Sequence, residues 1–220
     1  VLDLVAVVLG HLRYYEKYIR SGRQIRDRLD SIKKILVIKL RGLGDAVIAT
    51  SVIRNINKLM PGVSISVLTF NFCKPLFENN PHLEAVYGLS GEPDKGELSR
   101  LAGQLSRKNF DLILNLHARN LSSRLARKIK ARWRINRSYF IREKYSDVMV
   151  GSDHALDKTS IERDLDCLRA IGLDPTEKSP ELFVTEDEVA WAKKYLNELG
   201  VRPSKKLIVI HPAVTQPYRH

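Results

Sequence analysis

The sequence predicts an α/β fold, a parallel sheet covered by helices on both faces, and three observations carry that prediction. Short β-branched apolar runs recur along the chain, segments with apolar residues at helical spacing separate them, and Gly, Pro or Asn marks many of the joints. Strands that alternate with crossover helices pair in parallel and are buried on both sides, which is why they read as unbroken apolar runs.

The elements follow in order. "KILVIKL" (34–40) is a buried strand, and "DAVIATSVIRNINKLM" (45–60) is a helix stopped by Pro61-Gly62. "SISVLTF" (64–70) is the second strand and "HLEAVYGL" (82–89) a short third. The helix "GELSRLAGQLSRKN" (96–109) leads to the fourth strand, "FDLILNLHA" (110–118), and then to the helix "NLSSRLARKIKA" (120–131). "RWRIN" (132–136) reads as a weak fifth strand, followed by a less regular stretch. "SIERDLDCLRAIGL" (160–173) and "TEDEVAWAKKYLNELG" (185–200) are helices, the second opened by a Thr185/Glu188 capping box. "KLIVIHPA" (206–213) starts a further strand. The expected organisation is a helical extension over 1–31, a Rossmann-like domain over 32–200, and a linker with the first strand of an incomplete domain over 201–220.

The leading segment is apolar from Val1 to Gly10 apart from Asp3, and the basic, helix-patterned "HLRYYEKYIRSGRQIRDRLDSIKK" follows. A signal peptide has its charges first, so the order excludes one. A basic amphipathic helix on a membrane surface and a helical extension packed on the domain both fit. No apolar run approaches the ~20 residues that span a bilayer.

With 44% hydrophobic and 28% charged residues among 220, the chain reads as globular. Its 37 Lys+Arg against 25 Asp+Glu give a net charge of +12, which favours an anionic partner without selecting one. Cys73 and Cys167 lie far apart, suit neither a zinc site nor a disulfide framework, and read as two buried thiols in a reducing cytoplasm.

A doubly wound sheet binds ligands at the carboxyl ends of its strands, here Arg41–Asp45, Asn71 and Leu116–Arg119. The turn "RGLGDAV" offers glycines and a helix N-terminus, which suit an anion. It is no dinucleotide fingerprint, since Val47 stands at the third glycine position and the second strand ends "LTFN" without an acidic residue. It has no Gly-Lys-Ser/Thr, so it is no Walker loop either. Asp45 is therefore open to two readings: an N-cap carboxylate holding free helix amides, or a base beside the cations Lys39 and Arg41.

"ILVIKLRGLGDAVIATSVIRNINKLMPGVSISVLT" resembles the opening of glycosyltransferase family 9, the ADP-heptose:lipopolysaccharide heptosyltransferases. "NPHLEAVYGL", "FDLILNLHARNLSSRLARKIKARWRI" and "IVIHPAVTQPYRH" resemble later blocks of that family in the same order, so the similarity runs over about 33–220. The resemblance implies the N-terminal half of a GT-B-type enzyme, with two facing Rossmann-like domains and a cleft between them. It implies that the Gly-Asp carboxylate, Asp45, is the base for an acceptor hydroxyl. It makes Lys39, Arg41, Gly42, Gly44, His117 and Arg119 candidates for acceptor binding, and Thr215 and Arg219 for donor phosphate binding. Ala213, Thr215 and Arg219 stand where Gly, Ser and Lys are common in the family, and Asn115 replaces a usual Asp. Most of the donor side is expected in a longer reading frame, which the opening Val1 in place of Met also suggests.

The implied reaction is inverting transfer of a heptose or similar sugar from a nucleotide-diphosphate donor to an anionic, lipid-linked lipopolysaccharide-core or related saccharide. No cofactor is expected. No Asp-x-Asp stands at a strand end, so the mechanism is expected to be metal-independent. "DLD" (164–166) falls inside a helix, its two carboxylates on different faces, and reads as solvated surface. Between Leu112 and Arg142 there is no acidic residue, while Arg119, Arg124, Arg127, Lys128, Lys130, Arg132, Arg134, Arg137 and Arg142 accumulate. They form an acceptor-phosphate patch on the family reading, or a solvated face. His82 and His154 read as surface or capping residues. The expected place is the cytoplasm, with peripheral contact on the inner face of the cell membrane as an extension of it. Two other classes stay open: a basic nucleic-acid-binding domain, although no such motif is present, and a non-catalytic truncated transferase domain.

Overall fold

The structure, a computed structural model, describes residues 17–138, 146–151, 158–201 and 206–210. It divides into two compact units, Val1–Phe183 and Val184–His220.

In the first unit helix α1 (17–26) leads to β1 (Lys34–Lys39), α2 (Leu43–Leu59) and β2 (Ser64–Phe70). Then come α3 (Pro75–Glu78), β3 (Ala85–Leu89), α4 (Lys95–Ser106) and β4 (Phe110–Ala118). The unit continues through α5 (Asn120–Lys128), β5 (Ala131–Ser138), β6 (Val148–Gly151) and α6 (Ser160–Arg169). The six strands lie in the order β3-β2-β1-β4-β5-β6, and every pairing is parallel. The winding reverses between β1 and β4, and the crevice beyond their carboxyl ends is where such sheets take ligands.

The alternation along β1 shows why the sheet needs two helical layers. Ile35 and Val37 join the core containing residues of α2 and α6, while Leu36 and Ile38 join the core containing residues of α4 and α5. Each helix ends for a local reason. Helix α2 stops at Met60, before Gly62 at φ 82°. Asp94 caps the start of α4 and Asn109, at φ 54°, follows its end. Thr159 caps α6, and Gly172 at φ 84° turns the chain away. Gly22 lets α1 approach the end of α6: a Cβ there would lie 2.8 Å from the Ala170 carbonyl oxygen.

After α6, residues 174–183 form a strap tied to α2. The Asn55 side chain exchanges hydrogen bonds with the Glu177 backbone on both its amide ends, and Thr50 Oγ1 accepts from the Glu181 amide. Lys58 and Arg54 hold the Glu177 carboxylate at 2.6 and 3.1 Å. His82, expected as a surface or capping residue, is partly buried, with Nε2 3.2 Å from Glu181 Oε1 and its ring edge-on to Phe183.

Several elements differ from the sequence prediction; the short helix α3 was not expected, and α5 ends at Lys128 where a helix to 131 was expected. Strand β6 falls in the stretch read as irregular, because a four-residue edge strand gives almost no periodicity. Its pairing with Ile135–Ser138 extends β5 beyond the expected 136. Residues 206–210, expected to form a strand, are exposed and unpaired, since a strand exists only beside a partner and none is present among the described residues. In the second unit α7 (Glu186–Glu198) carries the expected capping box between Thr185 and Glu188, and Trp191 stacks on Tyr195 at 5.4 Å. No helix of the described residues is long and apolar enough to cross a membrane.

Candidate active site

At the carboxyl edge of β1 the chain leaves the sheet at Lys39 and re-enters regular structure at Leu43, with Gly42 as the N-cap of α2. Among the described residues no side chain caps this helix, so the amides of its first turn stay open. Asp45 lies inside that first turn and does not serve as the cap. Its carboxylate is about one-third exposed (31%) and is engaged by two cations: Arg41 Nε at 3.4 Å and Lys39 Nζ at 3.8 Å.

Lys39 has the parity of Ile35 and Val37, which directs it into the α2/α6 layer. It is 1% exposed, and its Nζ donates to Asp164 Oδ2 at 2.5 Å. Arg137, on β5 and also buried, places Nη1 3.3 Å from the other oxygen, Asp164 Oδ1. Asp164 is wholly buried, which corrects the expectation of a solvated "DLD". The signal was present in the sequence: residue 164 shares the helical stripe of Ile161, Leu165 and Leu168, so its side chain faces the sheet. Asp166 does face outward, to Lys158 and Arg169.

Three cations and two carboxylates thus meet behind the rim. Burial pushes the Asp164 carboxyl above the usual range against the pull of Lys39 and Arg137. Burial likewise raises both thiols, Cys73, whose Sγ lies 3.5 Å from the Arg41 carbonyl, and Cys167, which neighbours Asp164. Both cysteines are free and buried.

The remaining candidates lie as follows. Gly42 and Gly44 are exposed, and a Cβ at either would meet nothing within 4 Å, so their backbone is open to approach. Lys39 has no open surface, so what it offers a ligand is charge felt through Asp45. His117 stands near the carboxyl end of β4, beside a register shift between Asn115 and Ala118. Arg119 is exposed at the N-cap of α5, its amide donating to Ser122 Oγ at 3.0 Å. Thr215, Arg219, Arg142 and His154 lie outside the described residues.

Of the basic stretch, Arg124, Arg127, Lys128, Lys130 and Arg132 are exposed. Arg134 is turned in to bind the Ala126 and Ile129 carbonyls at the end of α5. Asn115 is completely buried, and among the described residues neither end of its amide has a hydrogen-bond partner. Among the described residues no group of three or more His, Cys, Asp or Glu side chains is placed to hold a metal.

No family model matches the chain. Lipopolysaccharide heptosyltransferase 3 of Escherichia coli K12 is 26% identical over 190 residues, 82% of this chain and 54% of that protein. The chain resembles the heptosyltransferases of glycosyltransferase family 9. It spans about half the length of the curated relatives it matches. A family 9 glycosyltransferase from Veillonella parvula superposes with a TM-score of 0.71 at 21% identity, over 78% of this chain and 51% of that one. The E. coli ADP-heptose lipopolysaccharide heptosyltransferase II gives 0.62 at 21% identity, over 77% and 51%. E. coli heptosyltransferase WaaC, solved with ADP-2-deoxy-2-fluoro heptose, gives 0.57 at 14% identity, over 67% and 51%. The fold is therefore that of one half of the family 9 architecture, a six-stranded parallel α/β sheet flanked by helices.

Proposed function

We propose that this chain is the acceptor side of a glycosyltransferase of lipopolysaccharide biosynthesis, moving a heptose or similar sugar from a nucleotide-diphosphate donor to a lipopolysaccharide-core or related glycan. The observation that supports it best is the state of Asp45. Its carboxylate stands partly open at the carboxyl edge of β1 and is engaged by Arg41 and Lys39 without serving as the helix cap. A relative solved with an ADP-heptose analogue supports a nucleotide-sugar donor.

In this reading Asp45 takes the proton of the acceptor hydroxyl as that oxygen bonds to the anomeric carbon. The bond from that carbon to the diphosphate breaks, and its electron pair leaves with the diphosphate on the opposite face, so the configuration inverts. No metal is assigned to the step. Arg41, the open backbone at Gly42 and Gly44, His117 and Arg119 orient the acceptor, with Lys39 supplying charge from behind. Thr215 and Arg219 contact the donor phosphates, their hydroxyl and guanidinium suited to phosphate oxygens. The exposed cations Arg124, Arg127, Lys128, Lys130 and Arg132 suit the phosphates of a lipid-linked acceptor at the inner face of the cell membrane. The division into an extension over 1–31, an acceptor-side domain over 32–200 and the start of a donor domain after 201 belongs to the same proposal.

The test is Asp45→Asn in the complete gene product. Sugar transfer is expected to fall by ~10²–10⁴-fold, with affinity for the nucleotide donor within a few-fold of the parent. Ordinary turnover by the variant would remove the base assignment.

A further inference from the structure

We propose that Asp164 is a positioning residue for the reaction, acting through Lys39 to fix both the place and the proton affinity of the Asp45 carboxylate. This deepens the reading above and rests on it only where turnover is the measurement.

The geometry carries it. Lys39 Nζ lies 2.5 Å from Asp164 Oδ2 and 3.8 Å from Asp45 Oδ1, so the ammonium is bound to the buried carboxylate and only leans toward the exposed one. With 1% of Lys39 exposed, water does not hold the ammonium in place; the protein must. Arg137 at 3.3 Å anchors Asp164 from β5. The groups facing Asp45 are Lys39 from β1, Arg41 from the turn, Asp164 from α6 with Arg137 behind it, and Cys73 after β2. Without Asp164, two cations would stand near Asp45, and Lys39 would be free to close on it as a full ion pair. A carboxylate held in that way is a weaker base and a less available one. Asp164 keeps Lys39 back, so Asp45 is oriented without being neutralised.

The experiment uses the complete gene product with 13C-labelled aspartate carboxyls, following the Asp45 resonance against pH in the parent and two variants. Asp164→Asn should move the Asp45 titration to lower pH, because a like charge is lost and Lys39 is released toward Asp45. Lys39→Met combined with Asp164→Asn should move it back upward, because the cation is gone as well. Opposite signs from two substitutions in one cluster are not what a merely structural role gives. An Asp45 titration that stays in place in both folded variants would overturn the proposal, as would an upward move in Asp164→Asn. In activity, the acid limb of kcat/KM should follow the same order, with kcat falling in Asp164→Asn and KM nearly constant. A carboxyl resonance that moves as expected while the activity profile stays fixed supports the coupling and removes Asp45 as the base, so the two ideas fail separately.

Discussion

Lys39 and Asp164 form a wholly buried ion pair between β1 and α6, 125 residues apart in sequence and 2.5 Å apart in space. Such a pair is costly to break and far less costly to delete. Asp164→Ala should lower the free energy of unfolding by about 3–5 kcal/mol, because Lys39 and Arg137 are left buried near each other. Lys39→Met with Asp164→Leu should recover part of that loss, since the Lys39 charge is removed together with its partner while Arg137 still loses Asp164. Urea unfolding of the variants measures both, and equal losses in the single and double variants would contradict a buried charge pair.

The strap over 174–183 should loosen in acid. Lys58 first, then Arg54, holds the Glu177 carboxyl below the usual range. A lowered folded-state value means the attachment is complete above the ordinary carboxylate value and is lost as pH falls through the lowered one. Hydrogen-exchange protection at the Glu177 and Glu181 amides, which bond to Asn55 and Thr50, should therefore fall on acidification. Lys58→Met should bring that fall to higher pH.

Asn115 is a buried amide with neither end paired among the described residues, on the strand position that faces the α4/α5 core. Replacing an unsatisfied polar group by an apolar one of similar size removes a desolvation penalty. Asn115→Val should leave stability unchanged or raise it by about 1 kcal/mol, read from denaturant midpoints. A clear loss would mean the amide has a partner that the side-chain geometry does not reveal.

Gly22 is interior to α1, where alanine is ordinarily better by about 1 kcal/mol. Here a methyl group would press on the Ala170 backbone oxygen at 2.8 Å. Overpacking of this kind costs about 1–3 kcal/mol, so Gly22→Ala should lower the melting temperature, whereas a rise would show that α1 can shift away.

The strands and most helices were legible because burial on both faces of a parallel sheet writes itself as apolar runs. The second strand and the fourth match their expected bounds, 64–70 and 110–118. Strand β6 was not legible, since edge position and short length remove the pattern. Within the candidate site, Asp45 and its two cationic neighbours could be picked out because they are close in sequence. Asp164 could not be assigned a partner, although its place on an apolar helical stripe marks it as buried.

The sequence by itself determined the alternation of strands and helices, the open glycine turn and the carboxylate that follows it. Only the tertiary structure decided whether Asp45 caps its helix or stands partly open beside Arg41 and Lys39, and which charges lie beneath it. Periodicity is a local property of the backbone and can be read along the chain. Charge pairing depends on which elements the sheet order brings together, and here it joins residues of β1, β5 and α6 that no local pattern connects.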